Sequence, residues 1–166
     1  MANIRWSASK AIKVVKLSLK ILPPVQALIF GAVMWVVDNQ ISVGQFQFDF
    51  QLPIAILIAV SGVALVITSM LEFRRASTTI DPFHPEETSS LVDSGVFRFS
   101  RNPMYMSLLL VLIAWSIWLG SSYNLAVLAM FVSYITVFQI KPEEAVLKSL
   151  FGEEFDQYCS KVRRWI

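Results

Sequence analysis

Residues 106–140 contain no Asp, Glu, Lys or Arg. That run is bounded by Ser100-Arg101-Asn102-Pro103-Met104-Tyr105 on one side and by Pro142-Glu143-Glu144 on the other. A helix needs about 20 apolar residues to cross a bilayer, so the run is long enough for two crossings, with Gly120-Ser121-Ser122 as the turn between them. A hairpin of this kind leaves the membrane where it entered and brings the two polar clusters to one surface. An arginine, a tyrosine and two carboxylates beside an apolar bundle are costly to bury unpaired, so a polar site at the bilayer edge is expected.

The rest of the chain fits that frame. Of 166 residues, 55% are hydrophobic and only 16% charged, with a mean hydropathy of +0.59. Such a balance belongs to a membrane protein rather than a soluble domain. Four spans are read, at Ile21–Val37, Leu52–Leu71, Met104–Leu119 and Tyr123–Ile140, none with a charged residue. The 14 Lys and Arg residues all fall in 1–20, 72–103 or 141–166, whereas the 38–51 loop carries only Asp38 and Asp49. The positive-inside bias therefore predicts both termini and the 72–103 segment in the cytoplasm. The expected fold is an all-α integral membrane protein of a single domain. It has a basic segment over 1–20, two spans over 21–71, a cytoplasmic loop over 72–103, a helical hairpin over 104–140 and an amphipathic C-terminal helix over 141–166. Lys10, Lys13, Lys16 and Lys20 precede the first apolar run. We read residues 5–20 as a retained anchor whose basic helix lies on anionic lipid, with Trp6 at headgroup level.

Neither a metal nor a nucleic acid is expected as a partner. One cysteine, Cys159, and one histidine, His84, are too few for a usual Cys or His metal centre. The expected partners are the bilayer and a lipophilic molecule reached from it. The 72–103 segment is long for a connection without a clear helix or strand pattern, which suits a binding loop. Within it, Leu91-Val92-Asp93-Ser94-Gly95-Val96-Phe97 reads as a turn, with Gly95 able to take a positive φ and approach a ligand closely. In the tail, Leu147, Phe151, Phe155, Tyr158, Val162 and Trp165 recur at three- and four-residue steps and form one apolar stripe. Pro142 suits a first helical position, and Glu143 and Glu144 would then complement the dipole of that helix's first turn.

Three motifs in order give these clusters a second meaning: Leu91 to Phe97; Arg101-Asn102-Pro103-Met104-Tyr105; and Glu143-Glu144 followed by Leu147, Phe151-Gly152-Glu153-Glu154-Phe155 and Tyr158. Over residues 78–166 the sequence resembles the integral-membrane methyltransferases of the isoprenylcysteine carboxyl methyltransferase and phospholipid methyltransferase group. The resemblance implies S-adenosylmethionine as methyl donor. It implies that Leu91, Val92 and Phe97 line the adenosine pocket and that Asn102, Pro103, Tyr105 and Glu144 border the rest of the cofactor. It implies Arg101 and Glu144 as the residues organising the reaction. His84, in the Asp81-Pro82-Phe83-His84-Pro85 run, is counted with the cofactor residues.

The chemistry agrees with the residue types. Methyl transfer from a sulfonium needs alignment and exclusion of water more than acid–base machinery. A glutamate can pair with an ammonium, an arginine with a carboxylate, and an aromatic ring with a cation or a base. The family's carboxyl methyltransferases commonly carry an arginine five residues before the second glutamate, where this chain has Gln139, with Lys141 nearby. Gln139 and Lys141 are the expected acceptor-side residues, and a neutral amide there favours an amine or thiol acceptor over a carboxylate. Competing readings are a small four-helix transporter, a non-catalytic membrane subunit and a related membrane reductase using a nicotinamide cofactor. Charge-free spans weigh against the transporter.

Overall fold

The computed structural model describes residues 22–41, 43–77 and 88–166. The basic segment over 1–20, the Asp81–Pro85 run and His84 lie outside the described residues. Six α-helices follow in chain order: α1 (Pro23–Gln40), α2 (Gln51–Arg75), α3 (Pro103–Leu119), α4 (Asn124–Ile135), α5 (Lys141–Phe151) and α6 (Glu153–Lys161). A 3₁₀ turn over Gly95–Arg98 precedes α3, and a π turn over Thr136–Ile140 joins α4 to α5. Among the described residues, two helices are long and apolar enough to cross a membrane: Gln51–Arg75 and the continuous helix Asn124–Phe151.

The closest packing is between α2 and α3. Ala55, Gly62 and Ser69 are buried at seven-residue steps along one face of α2. A Cβ on Gly62 would lie 3.0 Å from the Ser107 carbonyl oxygen and 3.3 Å from Leu110 Cβ, so a side chain there would press the two helices apart by a few tenths of an ångström. Close approach through small residues is the packing available to helices that gain nothing from burying apolar surface away from lipid. The opposite face carries Leu52, Ile56, Leu57, Val60, Val63 and Ile67, each more than half exposed. Further in, Met34, Leu112, Val127, Phe131 and Ile135 tie α1, α3 and α4 into one core. Trp115 Nε1 donates to the Gly31 carbonyl at 3.1 Å across the α1–α3 contact.

One end of the bundle is closed by loop 43–50 lying against the 120–123 turn. Phe46 N–H donates to the Gly120 carbonyl at 2.7 Å, and Ser122 N–H donates to the Gly44 carbonyl at 3.1 Å. Gly120 ends α3 at φ 73°, and a Cβ there would meet the Phe46 carbonyl oxygen at 2.5 Å. Both facts require glycine. Gln51 Nε2 donates to the Ile117 carbonyl at 2.6 Å, satisfying a helix-end acceptor.

Two features of the tail differ from the sequence reading. No helix starts afresh at Pro142, because the last long helix runs on from α4 through the π turn into α5. Pro142 has no N–H to donate one turn back, and a local widening to π geometry absorbs that loss. The dipole account of Glu143 and Glu144 therefore has no free helix N-terminus to act on. The amphipathic tail is also not one helix. It breaks at Gly152 (φ 52°, ψ −119°) and ends at Lys161, with Val162 extended. Phe155, Tyr158 and Val162 do form one cluster with Leu91, Leu147 and Phe151. Trp165 leaves that stripe and packs on the main core, its Nε1 donating to Thr136 Oγ1 at 3.1 Å.

Candidate functional site

The other end of the bundle opens into a cavity of about 320 Å³. Its walls come from the start of α1 (Leu22, Pro23, Pro24), the inner part of α2 (Val66, Phe73), the 88–103 segment, the first turns of α3, and α5 and α6. Leu91, Val92, Phe97, Arg101, Asn102, Pro103, Tyr105 and Glu144 all line it. These are the described residues expected at the cofactor and reaction centre. Gln139 and Lys141, expected at the acceptor, are not among the lining residues. Gln139 is fully buried within the π turn, and Lys141 is exposed.

Each wall has a local cause. Gly95 takes φ 55°, and a Cβ there would sit 2.5 Å from the Glu72 side chain. The close approach foreseen for Gly95 is thus made to α2. Ser94 Oγ donates to Glu72 Oε2 at 2.6 Å, and Arg75 Nη1 donates to Glu72 Oε1 at 2.8 Å. With this anchor, Phe97 meets Phe73 edge to face, ring centres 5.3 Å apart and planes at 84°. Tyr158 closes the same wall from α6, its hydroxyl donating to the Phe97 carbonyl at 2.7 Å. Burial pushes the Tyr158 phenol above its ordinary range, so it stays a donor.

The polar floor is held from the C-terminal segment. Arg101 N–H donates to the Arg163 carbonyl at 3.0 Å, and Asn102 Nδ2 donates to the Arg164 carbonyl at 3.0 Å. The Arg164 side chain returns to Glu144 as a fork, Nε to Oε1 at 3.0 Å and Nη2 to Oε2 at 2.6 Å. Arg101 Nη2 reaches Glu144 Oε1 at 3.1 Å. Glu144 is thus shared by two guanidiniums, and its bond holds the Arg164 pKa above the usual arginine value. Arg101 Nη1 also meets Cys159 Sγ, whereas Arg101 Nε is buried without a hydrogen-bond partner among the described residues.

Glu143 and Glu144 are neighbours on a helix and so point about 100° apart. Glu143 turns to α3, where the Tyr105 hydroxyl donates to its Oε1. Both carboxylates line the cavity, and the two differ in their partners. Sequence reasoning missed Arg164 and named Glu144, not Glu143, for the reaction. A cue for Arg164 lay in the lack of any acidic residue after Asp156 to pair with its guanidinium locally. Phe73 and the Leu22-Pro23-Pro24 corner had no cue, since each reads as ordinary span-edge sequence.

The family model of phospholipid methyltransferases matches residues 50–154, and the chain belongs to that family of membrane methyltransferases. An uncharacterized protein of Haemophilus influenzae is 49% identical over 63 residues, which are 38% of this chain and the whole of that protein. Two rice proteins, of the indica and japonica subspecies, carry the name "Probable protein-S-isoprenylcysteine O-methyltransferase". Each is 22% identical over 116 residues, 70% of this chain and 61% of the relative, so the match spans less than two thirds of the rice proteins' length. No solved structure matches.

Proposed function

We propose that this protein is an S-adenosylmethionine-dependent methyltransferase that methylates a lipophilic acceptor reached from the bilayer, at a site facing the cytoplasm. The observation that carries the reading is the convergence of all the described cofactor and reaction-centre candidates on one cavity. About 320 Å³ lies within the usual range for a small-molecule site. The donor set suits a cofactor that ends in an amino acid. Glu144 can take an ammonium, and Arg101, with its buried partnerless Nε, can take a carboxylate. Phe97, fixed by Phe73 and Tyr158, offers a flat apolar wall for adenine. When bound, S-adenosylmethionine supplies an electrophilic methyl group on a sulfonium. The chain's own part is to hold that end of the cofactor through Arg101, Asn102 and Glu144 and to exclude water with its apolar walls.

We read α1, α2, α3 and the α4–α5 helix as four crossings. The 18 residues of α1 and 17 of α3 are near the lower limit, about 26 Å each at 1.5 Å per residue. The exposed apolar face of α2 supports contact with lipid. An acceptor with an apolar tail fits the cavity's side toward Leu22, Val66 and Leu108, and an amine or thiol head is favoured over a carboxylate. The test is a screen with methyl-labelled S-adenosylmethionine and membrane lipid extract. Label should enter lipid and be lost in Glu144→Gln; no transfer to any lipid fraction by folded protein contradicts the reading. For orientation, a membrane-impermeant maleimide should label Cys159 in inverted vesicles and not in intact cells, and labelling of intact cells would overturn it.

A further inference from the structure

We infer that Glu143 is a catalytic residue, the base that takes the proton an amine or thiol acceptor must lose. This rests on the methyltransferase reading and deepens it. Among the described residues Glu144 has two cationic partners, whereas Glu143 has none and receives one hydrogen bond, from the Tyr105 hydroxyl. A carboxylate lining a largely apolar cavity without a counter-ion is costly unless a ligand supplies a proton or a positive charge there. Tyr105 occupies one oxygen and leaves the other for that ligand. The remaining titratable and charged groups on the cavity wall are Arg101 and Tyr158 from the facing segments and Glu144 beside it. Arg164 is held on Glu144.

The proton balance selects the acceptor. An ammonium or thiol head gives one proton to Glu143, and the freed lone pair forms the bond to the methyl carbon. The electron pair of the broken carbon–sulfur bond stays on sulfur, and Glu143 passes the proton to water. A carboxylate acceptor releases no proton and would meet Glu143 as a like charge. The preference for an amine or thiol thus rests on Glu143, a cavity residue, and no longer on Gln139.

The test uses full-length protein in zwitterionic nanodiscs, with dodecylamine, dodecanethiol and dodecanoate as acceptors. S-adenosylhomocysteine affinity is measured separately. Wild type should methylate the amine or the thiol and not dodecanoate, with a rate that rises with pH through one ionisation. Glu143→Gln should keep its thermal midpoint and bind S-adenosylhomocysteine within about twofold. Its kcat should fall by about 10²-fold or more, with the pH inflection lost. Glu143→Asp should recover part of the rate, and Tyr105→Phe should shift the inflection. As a readout free of turnover, dodecylamine should stabilise wild type more than dodecanol does, a difference that Glu143→Gln removes. Turnover by Glu143→Gln within about threefold of wild type overturns the inference, as does preferred methylation of dodecanoate. So does failure of both amine and thiol in protein that binds S-adenosylhomocysteine. Failure of wild type to bind S-adenosylhomocysteine overturns the methyltransferase reading itself.

Discussion

The two ends of the bundle are closed by different forces. Where loop 43–50 meets the 120–123 turn, the contacts are neutral: backbone N–H to carbonyl, the Gln51 amide to helix-end carbonyls, and a glycine too tightly enclosed for a side chain. Ser121 and Asn124 beside that turn are buried with side-chain polar atoms that meet no partner among the described residues, but neither carries a charge. At the cavity end, among the described residues, two guanidiniums share one carboxylate, a second carboxylate has only a phenol, and an arginine nitrogen is buried without a partner. The contacts that join the first end are neutral throughout. The second concentrates charge that a polar ligand would complete, and the difference marks it as the working end.

Substitutions should separate the two ends, and the largest effect belongs to the cavity. Glu144→Gln leaves Arg101 and Arg164 short of their shared charge. S-adenosylhomocysteine affinity should fall by more than tenfold, in line with about 2–5 kcal/mol for one partner of a buried charge pair, as read by calorimetry. The protein should still extract and fold. Gly120→Ala should do the reverse. A left-handed φ and a Cβ 2.5 Å from the Phe46 oxygen should lower unfolding stability by about 1–3 kcal/mol, with ligand affinity unchanged in the folded fraction. An effect of Gly120→Ala on affinity at constant stability would break the comparison.

Smaller effects sharpen it. Gln51→Ala removes the amide that satisfies the Ile117 carbonyl and should cost about 1 kcal/mol in denaturant titrations, again without change in affinity. Lys148→Ala removes an ion pair to Asp156 whose side chains are 63% and 55% exposed, and the thermal midpoint should not move measurably. If that exposed pair proved as costly as Glu144, charge at this end would be structural rather than reserved for a ligand.

Much of this architecture was legible in the sequence because charge is expensive in a bilayer. The absence of Asp, Glu, Lys and Arg from four runs placed three of the helices, and the start of the fourth, to within a few residues, and the ends of the 106–140 run foretold where the polar clusters would meet. What the pattern could not carry was direction at single-residue scale. Neighbouring glutamates look alike in sequence, yet α5 turns one to Tyr105 and the other to Arg101 and Arg164. Gln139 was legible as a motif departure, but the π turn places it fully buried, outside the cavity lining. The run from Leu147 to Trp165 kept helical spacing through Gly152, where the backbone turns and sends Trp165 to another core.

The central claim is that the charged end binds S-adenosylmethionine, and ligand-dependent stabilisation tests it most directly. A ligand that binds only the folded protein raises the unfolding midpoint as its concentration grows. The midpoint should climb with S-adenosylhomocysteine, stay level with NADPH, and lose the climb in Glu144→Gln. A midpoint unmoved by S-adenosylhomocysteine, or one raised by NADPH instead, would contradict it.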